Sequence, residues 1–132
     1  MNGLLLDTHV LLWWLQGSRR IGARARALID NPESVVWVSA ATAWEMAIKS
    51  ALGRLDLGEA LDVCLPRELQ ANGFRPLAVS VVHAVGIGRL PAHHRDPFDR
   101  LLIAQALTER LTIVTADPVF AAYGIDALDA RT

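Results

Sequence analysis

Two short apolar runs in this chain end in an aspartate: Leu4-Leu5-Leu6-Asp7 and Thr112-Ile113-Val114-Thr115-Ala116-Asp117. Such runs are too short for buried helices and show no polar alternation, so they read as strands covered on both faces. Val35 to Val38 and Pro76 to Val79 are further runs of this kind, and Ile125 to Leu128 reads as a last edge strand. Helical spacing fills the intervals. A short helix is expected through Leu15, and a second over about Gly22 to Asp30, stopped by Asn31-Pro32. Ser39 caps a third helix running to about Leu55, and a fourth covers Glu59 to about Ala71, ended by Asn72-Gly73. Ser80 opens a weak helix limited by Gly86 and Gly88, and Gly88 to Arg95 is a loop. Asp96-Pro97 starts a strong helix to about Arg110, and Pro118 to Tyr123 forms a helical turn. Strands alternating with helices imply an α/β domain of three layers, α/β/α, around a central parallel sheet. Ligands of such sheets bind outside the carboxyl ends of the strands.

A chain of 132 residues with 52% hydrophobic content fits a single domain over 1–132 with a real core, which excludes intrinsic disorder. No run approaches the roughly 18 apolar residues of a membrane span. The start has neither the basic lead nor the cleavage site of a signal peptide. The lone Cys64 forms no internal disulfide and suits a reducing compartment, so a cytoplasmic protein without membrane contact is expected. Cys64 reads as an inert core thiol, and Trp13, Trp14, Trp37 and Trp44 as core or interface anchors. The net charge of -1 gives no global attraction to nucleic acid. Yet Arg19, Arg20, Arg24 and Arg26 fall in a stretch without acids, which reads as a solvated face and, if it borders the acids, as a hold on a nucleic-acid backbone.

Asp7 and Asp117 sit at or next to the carboxyl edge, where each also serves as a turn residue or helix cap. Glu45 has Ala41, Ile48 and Leu52 on its helical face and Thr42 and Lys49 on its other side, which places it at the rim of the apolar face. A rim salt bridge to Lys49 is its structural alternative. Asp99 has Leu102, Ile103 and Ala106 on its face and turns inward, whereas Asp96 suits an N-cap before Pro97. Four carboxylates at one sheet edge repel strongly unless a divalent cation lies among them, and oxygen-only ligation suits Mg²⁺ or Mn²⁺. No zinc pattern exists; His9 and the His93-His94-Arg95 group lie next to acids, where they could touch phosphate, but His93-His94 reads first as a solvated loop pair. Carboxylate-held Mg²⁺ points to phosphodiester hydrolysis. An aspartyl-phosphate phosphatase needs a second Asp where His9 stands, and a receiver domain needs a late Lys that is absent.

The segments Leu4 to His9, Ser39 to Glu45, Asp96 to Ala106 and Ile113 to Asp117 resemble the acid motifs of PIN-domain ribonucleases, and within them those of VapC-type toxins. The DPFDRLLIAQA stretch is the most specific part. The resemblance implies a PIN-like α/β/α fold and Mg²⁺- or Mn²⁺-dependent RNA cleavage leaving a 3′-hydroxyl and a 5′-phosphate. It implies Asp7, Glu45, Asp99 and Asp117 as the catalytic acids, with Asp7 and Asp99 the direct ligands and Glu45 and Asp117 further candidates. Thr115 matches a supporting hydroxyl, and Asp96 either substitutes for Asp99 or adds to it. A homodimer and a cognate VapB-type antitoxin are the implied partners. The alternative is a PIN-like interaction module without nuclease activity. The RNA target is not legible in the sequence.

Overall fold

A computed structural model describes residues 3–132. Strands β1 (Leu4–Leu6), β2 (Val36–Ser39), β3 (Arg75–Leu77), β4 (Thr112–Thr115) and β5 (Ala127–Asp129) form one sheet in the order β3-β2-β1-β4-β5. All four pairings are parallel. Between the strands run α1 (Thr8–Leu15), α2 (Ala23–Asp30), α3 (Ala40–Ala51), α4 (Leu61–Asn72), α5 (Val81–Gly86) and α6 (Pro97–Glu109). Two 3₁₀ turns cover Ile87–Arg89 and Pro118–Tyr123. Among the described residues no helix is long and apolar enough to cross a membrane.

The central strand shows why the sheet is sandwiched. Successive side chains of a strand point to opposite faces. Leu4 and Leu6 accordingly join one buried cluster, with Val10, Leu11, Ala25, Ile29 and Leu65. Leu5 joins the other, with Leu102, Ile103, Ile113 and Phe120. Thus α1, α2 and α4 cover one face, and α6 with the second 3₁₀ turn covers the other. Helix α3 serves both, giving Met46 to the first cluster and Ala41 to the second.

The expected elements are present, with boundary shifts that have local causes. Helix α3 stops at Ala51, not Leu55, because Gly53 takes a φ of 71° and Arg54 N–H donates back to Lys49 O at 2.8 Å. Helix α4 begins at Leu61, since Glu59 is engaged by the Arg67 guanidinium in front of it. Strand β3 sits one residue early, pairing Val38 with Pro76; an edge strand tolerates the missing N–H of proline. Strand β5 sits two residues late, pairing Thr115 with Asp129. Trp13 and Trp14 pack against the first buried cluster and Trp37 against the second, as expected of core anchors. Trp13, Trp14 and Trp37 are half-buried, and Trp44 is 61% exposed, its ring 5.1 Å from that of Phe98.

Beyond β5 the ladder continues into irregular chain. Ala130 N–H donates to Thr115 O at 2.8 Å, and Gly22 N–H donates to Ala130 O at 2.8 Å. A Cβ on Gly22 would stand 2.2 Å from the Thr132 carbonyl carbon and 2.4 Å from Arg131 O, both backbone atoms. Gly22→Ala is therefore expected to cost about 1–3 kcal/mol through overpacking. Urea denaturation checks this, and an unchanged midpoint would contradict the close approach.

Candidate active site

Three helical starts point at the carboxyl edge of the sheet, and an aspartate caps each. Asp7 follows β1 and accepts from Val10 N–H at 2.8 Å, opening α1. Asp96 opens α6, its Oδ1 accepting from Phe98 N–H at 2.9 Å and Asp99 N–H at 3.1 Å. Asp117 opens the second 3₁₀ turn, accepting from Val119 N–H at 3.0 Å. The first-turn amides of a helix lack intrahelical partners, so each carboxylate meets donors as well as a favourable dipole.

Thr115 ties two of these acids together. Its hydroxyl donates to Asp7 Oδ2 at 2.5 Å and accepts from Asp117 N–H at 3.1 Å. Asp7 is only 4% exposed. Burial pushes its carboxyl above the usual range, while the hydrogen bonds from Thr115 and Val10 pull the other way. Glu45 is also buried, on the second turn of α3. Its Oε1 accepts from the Thr8 hydroxyl at 2.6 Å and its Oε2 pairs with Lys49 Nζ at 3.2 Å. The salt bridge and the inward placement, weighed as alternatives in the sequence, coexist.

Asp99, in the first turn of α6, is the acid most affected by the others. Its carboxyl is pushed up to about 7, chiefly by burial, then by the charges of Asp96, Asp7, Glu45 and Asp117. Every acid singled out in the sequence therefore acts on one group. Among the described residues no three His, Cys, Asp or Glu side chains form a ready-made metal cage.

His94 is the residue that sequence reasoning missed. Its neighbour His93 is exposed, as a solvated loop residue should be, but His94 is half-buried between Asp99 and Tyr123. The Tyr123 hydroxyl lies 2.6 Å from Nδ1, and Nε2, shut off from water without a hydrogen bond, stands 3.5 Å from Asp99 Oδ2. Arg100 pins the same loop by donating to Pro91 O at 2.9 Å and to the Tyr123 hydroxyl at 3.3 Å. Its place one residue from Arg95 and two from Asp96 was the available signal.

A groove of about 930 Å³ lies between α3 and α4 and is lined by Ala47, Leu65, Pro66, Leu69 and Phe74. A smaller cavity of about 220 Å³ includes Thr115 and Asp117 in its wall.

A parallel sheet in this order, with acids gathered at its carboxyl edge, defines the class. Residues 4–126 match the PIN domain, and the chain belongs to that family. It is 29% identical over 118 residues to Ribonuclease VapC22 of Mycobacterium tuberculosis, a match covering 89% of this chain and 88% of that protein. Its fold is similar to VapBC2 from Rickettsia felis bound to a DNA fragment from the promoter, with a TM-score of 0.71 at 15% identity, covering 95% and 96% of the two chains. It is also similar to FitAB bound to an IR36 DNA fragment, with a TM-score of 0.69 at 25% identity, covering 98% and 96%.

The raised carboxyl of Asp99 fixes the sign of a pH effect. A folded-state pKa above the unfolded 3.8 means that the folded chain holds the extra proton. The contribution of Asp99 to the stability of the metal-free protein is thus fully present below pH 3.8 and is lost as pH rises toward about 7. Asp99→Asn should remove the loss, stabilising the metal-free protein at pH 8 by about 1 kcal/mol after allowance for solvent screening. Thermal melts in chelator at pH 5 and pH 8 check this; a variant that melts lower than wild type at pH 8 would contradict it.

Proposed function

We propose that this chain is a VapC-type toxin, a divalent-metal-dependent endoribonuclease that hydrolyses RNA phosphodiester bonds and is held inactive by a cognate antitoxin. One observation carries the reading: Asp99 shares a common field with Asp96, Asp7, Glu45 and Asp117. A binding surface has no use for such self-repulsion, whereas a cation among the acids turns it into affinity. The donors are all oxygen, which suits Mg²⁺ or Mn²⁺. Such ions are commonly held by one or two carboxylates plus waters and substrate phosphate, so Asp7 and Asp99 suffice as direct ligands with Glu45 and Asp117 behind them. When bound, the cation supplies Lewis-acid stabilisation of charge on the phosphoryl oxygens.

The chain's own residues have separable tasks in this reading. Thr115 holds Asp7 in one orientation through its Oδ2. Thr8 and Lys49 between them engage both oxygens of Glu45, which fixes a buried charge in place. Asp117 lies exposed with Oδ1 occupied by Val119 N–H, leaving Oδ2 to accept a proton from the attacking water. In the balanced reaction the water oxygen bonds to phosphorus and the P–O3′ bond breaks. The products are a 5′-phosphate and a 3′-hydroxyl that takes up a proton.

The same reading makes the chain a single cytoplasmic domain over 1–132 that works as a homodimer. Support for the dimer comes from apolar side chains left in water, including Val81, Val82 and Val85 on α5. A second reading, a PIN-like interaction module without nuclease activity, is favoured by one feature, the apolar groove between α3 and α4 away from the acids.

Cleavage of host RNA by purified protein separates the two. Cuts are expected with Mg²⁺ or Mn²⁺, none with chelator, and a loss of at least about a hundredfold in Asp7→Asn and Asp99→Asn with the fold intact. Undiminished ribonuclease activity in both variants would sink the mechanism. No cleavage by folded, antitoxin-free protein would favour the interaction module.

A further inference from the structure

A gathering of acids repels the polyanion it is meant to cut, and a chain of net charge -1 offers no general attraction to compensate. The substrate backbone must be held by a local positive surface outside the acids. Arg19, Arg20, Arg24 and Arg26 provide one. No acid lies between Asp7 and Asp30, and among the described residues none of the four makes an ion pair. Arg19, Arg20 and Arg24 are exposed. The Arg20 guanidinium lies 5.7 Å from the Trp13 ring centre, and that of Arg26 lies 5.7 Å from Trp14. Arg26 also donates to Ser18 O at 2.9 Å. Stacking on an indole orients a guanidinium without neutralising it.

The backbone ladder carries this surface to the site. From Thr115, whose hydroxyl holds Asp7, one rung leads to Ala130 and a second to Gly22. These two hydrogen bonds tie the start of α2 to the end of β4 through the chain that follows β5. Arg24 N–H is anchored in turn by Thr132 O at 2.9 Å. A cavity of about 220 Å³ at these strand ends is lined by Thr115, Asp117, Asp129 and Arg131.

We propose that Arg19, Arg20 and Arg24 form a phosphate-binding track for single-stranded RNA, which passes from the acids over the ends of β4 and β5 toward the start of α2. The proposal rests on the ribonuclease reading and adds where the flanking backbone of the substrate runs. Guanidinium forks match phosphate oxygens bidentately, and contacts to phosphate position a strand without reading its sequence.

The test compares wild type, the triple variant Arg19→Gln/Arg20→Gln/Arg24→Gln and a control, Arg54→Gln/Arg89→Gln, at exposed positions outside the track. Binding of a fluorescent single-stranded RNA is measured in chelator over a salt series, and cleavage is measured with Mg²⁺. Each lost phosphate contact flattens the slope of log K against log salt by about 0.7, so the triple variant should lose about 2 in slope while the control matches wild type. Its KM for long RNA should rise about tenfold or more, with kcat within about twofold. Circular dichroism verifies folding, and Arg24→Gln alone, with an expected slope loss of about 0.7, substitutes for an unstable triple variant. A variant with the wild-type slope and KM overturns the track even if RNA is cut. Wild type that binds RNA with a slope the variant loses, yet cuts nothing, overturns the ribonuclease reading and sustains the track. Wild type that binds no RNA overturns both.

Discussion

The hydrogen bond from Thr115 to Asp7 is the joint on which the carboxyl edge turns. It follows directly from sheet register. Leu6 lies opposite Val114 in the β1–β4 pairing, so Asp7 and Thr115 emerge side by side from adjacent strands. Asp7 N–H still donates to Val114 O at 3.1 Å, which keeps it in the ladder. Burying a carboxylate is costly unless donors receive it, and Val10 N–H and the Thr115 hydroxyl are those donors. A one-residue slip of β4 would turn Thr115 to the opposite face and orphan Asp7. Ile113 and Val114, each fully buried in an opposite cluster, pack in this register. Core packing thus fixes the register, and the register fixes the site.

The acids are distinguished by how far the fold already compensates them. Asp7, Asp96 and Asp117 each cap a helical start, so local amides stabilise their charge. Glu45 has a cation and a hydroxyl. Asp99 has neither a cap role nor a cationic partner of fixed charge; its nearest polar neighbour is His94 Nε2 at 3.5 Å. Burial first, and then the charges of the surrounding acids, raise its carboxyl to about 7. A cation would relieve Asp99 first.

What could be read in the sequence was whatever local chemistry decides. Strand-end acids, the Asp96-Pro97 cap, the Gly73 stop and the Glu45–Lys49 pair all depend on neighbours within a few residues, and all appear where spacing placed them. Relations across long separations were dark. Thr8 meets Glu45 across 37 residues, and His94 meets Tyr123 across 29. No periodicity marks such partners, so His94 looked like its solvated neighbour His93. Strand β3 was misplaced for a different reason. Its Arg75 and Pro76 are exposed at a sheet edge, so burial leaves no imprint on its boundaries.

Charge in this molecule is arranged as a contrast rather than a sum. The near-zero total hides acids collected at helix starts over β1 and β4, and arginines collected just past the last strand. The two sets are joined by hydrogen bonds through Thr115, Ala130 and Gly22. Gly22 is what lets them come so close, because any side chain there would collide with the backbone of Arg131 and Thr132. On the proposed reading, a polyanion at this edge would meet repulsion from the acids and attraction from the arginines, and that contrast would orient the strand.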